Sequence, residues 1–126
     1  MKLFKLEEAN ALIPMVRPIL AIIKRSYRQM QTMEAEAKLA ASDAALTGGG
    51  GMPHGGRYCQ ALLSMAEQTA NLESLGVQIK DYGRGLIDFP SLREGRVVLL
   101  CWLHNESDQI EWWHELDAGF AGRQRI

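Results

Sequence analysis

From Ala9 onward, apolar residues recur at Ile13, Val16, Leu20, Ile23, Tyr27, Met30, Met33, Ala37, Ala40 and Ala44. Alternating steps of three and four place them along one face of a helix. Continuous from Glu7 to Ala45, such a helix is roughly 55–60 Å long at ~1.5 Å per residue, longer than a compact domain of this chain length is wide. Part of it must project from the fold or find a second surface to cover it. Pro14 and Pro18 interrupt the pattern. Each removes a backbone donor and crowds the preceding turn, so the uninterrupted helix is expected to begin at Pro14, with the first turn separate or kinked.

The stretch from Thr47 to Gly56 holds six glycines and no apolar periodicity. Glycine is the residue most costly to order, so a flexible link is expected over about residues 47–57. A second helical pattern runs from Tyr58 to Leu75, with Cys59, Leu62, Ala66, Thr69, Leu72 and Leu75 as its inner face. Gly76 suits the left-handed position that ends it. The two patterns and the link form an antiparallel helical hairpin over about residues 7–75.

After Gly76 the period shortens to two. Val77 to Asp81 alternates as a half-buried strand, Gly83-Arg84-Gly85 supplies a tight reversal, and Leu86 to Phe89 is a second strand that Pro90 is expected to close. After a turn at Glu94-Gly95, Arg96 to Leu103 reads as a central strand covered on both faces. Residues 109–114 fit either period and are read as a fourth strand. The expected architecture is α+β: a long helical hairpin on a small three- or four-stranded antiparallel sheet, with the tail from Gly119 laid over it, all within one domain of residues 1–126.

Charge narrows the partners. Fourteen basic against fifteen acidic side chains leave a net charge of −1, with no global field to attract nucleic acid or an anionic membrane. The longest apolar run, Val97 to Leu103, is far short of the roughly 20 residues a membrane helix needs. The N-terminus has no secretion-signal pattern, so a cytoplasmic location is expected, with Cys59 and Cys101 as free thiols.

The polar groups of the second half gather near the sheet: Asp81, Asp88, Cys101, Glu106, His114, Glu115 and Asp117. Asp88, set among Leu86, Ile87 and Phe89, must be paired, metal-bound or protonated, because an isolated buried carboxylate costs several kcal/mol. Arg84, Arg96 and Arg123 are its candidate partners for a structural pair, and a ligand or acid–base role is the alternative. Cys101 shares a face with Val97, Leu99 and Leu103 and reads as a core thiol, with metal binding as its other use. His114 follows two tryptophans that can exclude water and lies between Glu111 and Glu115, which fits a hydrogen-bonded structural residue, a metal ligand or a general base. The Cys101-to-His104 spacing is too short for joint ligation, because strand residues three apart point to opposite faces. No nucleophile elbow, phosphate-binding glycine loop or Cys-x-x-Cys pair is present.

Strung together, Gly76-Val77-Gln78-Ile79-Lys80-Asp81, Gly85-Leu86-Ile87-Asp88-Phe89-Pro90, Leu100-Cys101-Trp102, Glu106, Ile110, Trp113-His114-Glu115 and Gly119-Phe120-Ala121-Gly122-Arg123 resemble a bacterial family catalogued as domain of unknown function 2203. The opening Leu6-Glu7-Glu8-Ala9-Asn10-Ala11-Leu12-Ile13-Pro14 extends the likeness to all but the glycine link. The resemblance implies no known reaction. It adds Glu8 and Asn10 to the polar positions Asp81, Asp88, Cys101, Glu106, His114 and Arg123. Asn105 stands where that family usually has glycine, and Arg125 where it usually has proline. Asparagine tolerates a left-handed turn.

Two functions fit these residues. In one, His114 and Glu106 with Asp88 or Asp81 coordinate a divalent metal ion through nitrogen and oxygen. In the other, the protruding hairpin, with Met30, Met33 and its alanine-rich stretch, packs against a second copy or another protein.

Overall fold

A computed structural model describes residues 1–47 and 55–126; the centre of the expected glycine link, 48–54, lies outside the described residues. Helix α1 spans Leu6–Thr47 and α2 spans Gly55–Ser74. Five strands follow: β1 Gln78–Asp81, β2 Leu86–Arg93, β3 Arg96–Leu103, β4 Trp112–His114 and β5 Gln124–Arg125. They form one sheet in the order β1-β2-β3-β4-β5 with every neighbouring pair antiparallel. The fold class is the expected α+β, but the sheet has five strands rather than three or four. The tail does not simply lie over the sheet: Arg125 and Gln124 pair with Trp112 and Trp113 as its last strand. Residues 109–114 are strand only from Trp112, because the Ile110 N–H is taken by the Asn10 side chain of α1.

The 42 residues of α1 extend about 63 Å, and the expected break before Pro14 does not occur. Both prolines lie on the exposed side of the helix, where carbonyls deprived of their donor meet water instead of the core. At the helix start the Lys5 N–H donates to Glu8 Oε1 at 2.9 Å, one half of a capping box. The α2 helix runs antiparallel to it: Tyr58 meets Glu34 far along α1, while Leu72 shares a core with Phe4, Ala9 and Ile13. Its inner stripe differs from expectation. Ala61 is buried and Met65 packs on the core, whereas Cys59, Leu62 and Ala66 face out. The run Ala61-Leu62-Leu63 with Met65-Ala66 offers apolar groups on adjacent stripes, and the packing partner selects between them. Gly76, at φ 87, ends α2 as expected, with the Val77 N–H on the Leu72 carbonyl and the Gly76 N–H on that of Glu73.

One face of the sheet carries Ile87, Phe89, Val98, Leu100, Trp102 and Trp113 into the helical core. Alternation sends Asp88, Cys101 and His114 to the opposite face. Strand β2 does not close at Pro90 but continues to Arg93. The Pro90 carbonyl accepts the Phe4 N–H at 2.7 Å on the side away from β3, and in an antiparallel strand a residue's nitrogen points the same way as its carbonyl. Its missing donor therefore costs β3 nothing. The β2–β3 hairpin turns on Glu94 and Gly95, both at positive φ, as its two-residue loop requires. Asn105 is not among the residues at positive φ, so it needs no left-handed tolerance. Among the described residues no helix is long and apolar enough to cross a membrane.

Candidate functional site

Because the Pro90↔Leu99 pair exchanges no backbone hydrogen bonds, neither does Asp88↔Cys101 two residues back. Side chains of such pairs lie closest together, and here the carboxylate meets the thiol. His114 reaches the same face from β4, where it pairs with Leu99. Its Nε2 lies 3.1 and 3.2 Å from the two Asp88 carboxylate oxygens. Asp88, Cys101 and His114 are 1%, 0% and 3% exposed, and each offers a donor atom within 4.8 Å of the others.

The partner of Asp88 is thus a histidine and none of the three expected arginines. Arg84 pairs with Asp81, Arg96 with Glu94 and Glu115, and Arg123 with Glu106. These guanidinium groups belong to exposed or rim positions, whereas His114 is carried onto Asp88 by the register of β4.

The hydrogen bonds of His114 decide what the cluster can hold. Its Nδ1 lies 2.7 Å from the Glu115 carbonyl oxygen, which only accepts, so Nδ1 carries the hydrogen. In a neutral ring Nε2 is then a bare lone pair directed at a carboxylate. Two acceptors at this distance need a proton or a cation between them. Burial pushes the Asp88 carboxyl above its ordinary range, with His114 and Cys101 opposing part of that rise. Burial and the Asp88 charge push the Cys101 thiol up to about 12. A thiol held neutral is not a nucleophile, and the two ring nitrogens of His114 face the Glu115 carbonyl and the Asp88 carboxylate, not the thiol. The arrangement is therefore unlike a Cys-His-Asp catalytic triad.

A second ion pair covers the cluster. Arg123 donates to Glu106 Oε1 at 2.7 Å and to the Cys101 carbonyl at 3.3 Å, and its guanidinium stacks near both Trp112 and Phe120. Glu106 Oε1 also accepts the Leu103 N–H. Of the expected metal ligands, the fold brings Asp88 and His114 together and adds Cys101. Glu106 sits beside them, engaged by Arg123. Asp81 stands apart at the end of β1, accepting the Arg84 N–H at 2.9 Å. Glu115 orients His114 through its carbonyl, while its carboxylate lies on Arg96, which holds it below the ordinary carboxyl range. Asn10 accepts the Ile110 N–H and donates to Gln109, so Glu8 and Asn10 serve the fold. Cys59 and Cys101 are both free.

Sequence reasoning missed Arg17. It donates to the carbonyls of His104 (2.6 Å) and Glu106 (3.2 Å), reaches Asp108 at 2.6 Å, and lies 4.8 Å from the Trp102 ring. It fastens the loop that supplies Glu106 to α1. Its partners are mostly backbone atoms nearly ninety positions away, which leave no local pattern to read.

A family model described as an uncharacterized conserved protein family, DUF2203, matches residues 2–126. The chain belongs to the DUF2203 family. Neither a curated protein nor a solved structure matches it significantly. The family description names no reaction for this DUF2203 protein. The polar positions that carried the resemblance divide into helix fasteners, Glu8 and Asn10, and the groups on or beside the buried cluster.

Proposed function

We propose that this DUF2203 protein binds a divalent metal ion of the zinc class through Asp88 oxygen, Cys101 sulfur and His114 Nε2. The supporting observation is the Nδ1–H bond from His114 to the Glu115 carbonyl, which turns the Nε2 lone pair towards Asp88 and Cys101. This backbone anchor is the usual way a ligating imidazole is oriented. A tetrahedral ion bonded at about 2.0–2.3 Å wants its donors about 3.3–3.8 Å apart; the His114–Asp88 separation is already near that spacing. Charge also balances: a divalent ion with the Asp88 and Glu106 carboxylates, the Cys101 thiolate and the Arg123 guanidinium sums to zero. Mixed N, O and S donors favour zinc or cobalt over magnesium or calcium. The burial of all three ligands suits an ion that holds structure more than one presented to a substrate, with a fourth position left to water. Two free thiols fit a reducing, cytoplasmic setting.

The test is elemental analysis of untagged protein purified without chelator, with cobalt titration of the metal-free form. One equivalent of metal and a thiolate-to-cobalt charge-transfer band, both lost in Cys101→Ser and His114→Ala but kept in Glu106→Gln, is the expected result. Substoichiometric metal with no thiolate band sinks the reading.

A second reading, association through the hairpin, rests on Leu39, Leu62 and Leu63, which are 70%, 44% and 69% exposed on its two helices. Sedimentation velocity showing only monomer at high concentration rules it out.

A further inference from the structure

Beyond Ile23 the packed stripe of α1 changes chemistry. The next inward position is Ser26, and α2 answers it with Ala61 and Ser64. Small side chains on facing helices leave space between them, because backbone separation is set by the larger residues packed elsewhere along the pair. The result is a groove of about 770 Å³ between α1 and α2, within the size range of small-molecule clefts. Its charged lining groups are Arg25, Arg28 and Glu36 from α1 and Arg57 from α2, a surplus of two positive charges in a chain whose net charge is −1. None of the three arginines forms an ion pair with another described residue. Arg25 and Arg28 are one turn apart on α1, where like charges repel. Ser26, only 3% exposed, lies at the groove floor. Its hydroxyl can both donate to and accept from a ligand oxygen.

We infer that this groove binds a small organic phosphate of about nucleotide size, its phosphoryl groups on Arg25, Arg28 and Arg57 and its remainder over Ser26, Ala61 and Met33. Guanidinium groups engage phosphate oxygens bidentately, which lysines cannot do, and among the described residues every cation lining the groove is arginine. Gln29, Gln60 and Ser64 add neutral donors and acceptors for the uncharged part of such a molecule. Glu36 sets a limit on how much negative charge that end of the groove accepts. The site shares no lining residue with the Asp88–Cys101–His114 cluster, so the two stand or fall separately.

The experiment is calorimetric titration of the metal-free full-length protein with adenosine triphosphate and, separately, with pyrophosphate, at two salt concentrations. One saturable site per chain is expected, tighter for the nucleotide than for pyrophosphate and weakened by salt. Arg25→Gln/Arg28→Gln on one helix and Arg57→Gln on the other should each weaken binding at least tenfold. Arg93→Gln, which removes the same charge outside the groove, should leave it unchanged. Absence of saturation at millimolar ligand overturns the inference, as does an equal loss in the Arg93 variant. Competition only by long nucleic acid, with no effect of the mononucleotide, also overturns it.

Discussion

Asp88 and His114 meet at 3.1 Å although their strands are not neighbours: β3 runs between β2 and β4, and the two side chains join above it over Cys101. With strands about 4.8 Å apart, their backbones are roughly 10 Å from each other. Both side chains are needed to span that distance. Removing either strands a buried polar group, which costs about 3 kcal/mol. Asp88→Ala and His114→Ala should each lower the unfolding free energy of metal-free protein by that order. The double variant should lose less than the sum, giving a coupling of at least ~1 kcal/mol; additive losses in urea titrations would show that the contact is not energetically real.

The pH dependence follows from the raised Asp88 carboxyl. The folded state then holds its proton at pH values where the unfolded chain has already released it. Asp88 therefore contributes stability that is fully present below the ordinary value of 3.8 and lost as pH rises through the folded value. In metal-free protein, the advantage of wild type over Asp88→Asn should shrink as pH is raised from about 4 towards neutrality. Thermal melts of both proteins across that interval check it, and a difference that widens with pH contradicts the assignment.

Thiol chemistry separates the two cysteines. Cys59 is exposed on α2, while Cys101 is buried with its thiol pushed up to about 12. A disulfide reagent at pH 8 should modify one equivalent in the native metal-free protein and two in denaturant. Two fast-reacting equivalents in the native protein would mean that the cover formed by the Arg123–Glu106 pair opens readily.

Arg17→Met keeps the aliphatic bulk of the side chain and deletes its three hydrogen bonds. Two of them end on half-buried loop carbonyls, so a loss of about 2 kcal/mol is expected. Amide exchange should rise first in the loop around Glu106 and Ser107, and metal affinity should fall without change at the ligands themselves. Unchanged protection there would assign the loop's order to its other fasteners, Asn10 on Ile110 and Arg123 on Glu106.

The sheet places one further demand on sequence. Gly85 sits at φ 66, and a Cβ there would come within 2.9 Å of the His104 Cβ. Gly85→Ala should therefore cost about 1–3 kcal/mol from backbone strain together with the clash. A midpoint shift in urea without a change of slope would register it.

Whatever depends on neighbours along the chain is legible in the residues alone. The three-and-four spacing from Ala9 specifies α1, Gly76 ends α2, and the alternation around Asp88 and Cys101 specifies strands, because each is a local preference of backbone and burial. The sequence also marked Asp88 and His114 as groups needing partners. Which partners they have depends on contacts between distant segments. The register of β4 on β3 carries His114 over Cys101 to Asp88, while Arg84, Arg96 and Arg123 find carboxylates elsewhere. The continuation of α1 through Pro14 and Pro18, the passage of β2 through Pro90 and the capture of Gln124–Arg125 as a fifth strand have the same origin. In each case the backbone group concerned faces water or a segment distant in the chain, and that direction is set by packing between segments far apart in the chain.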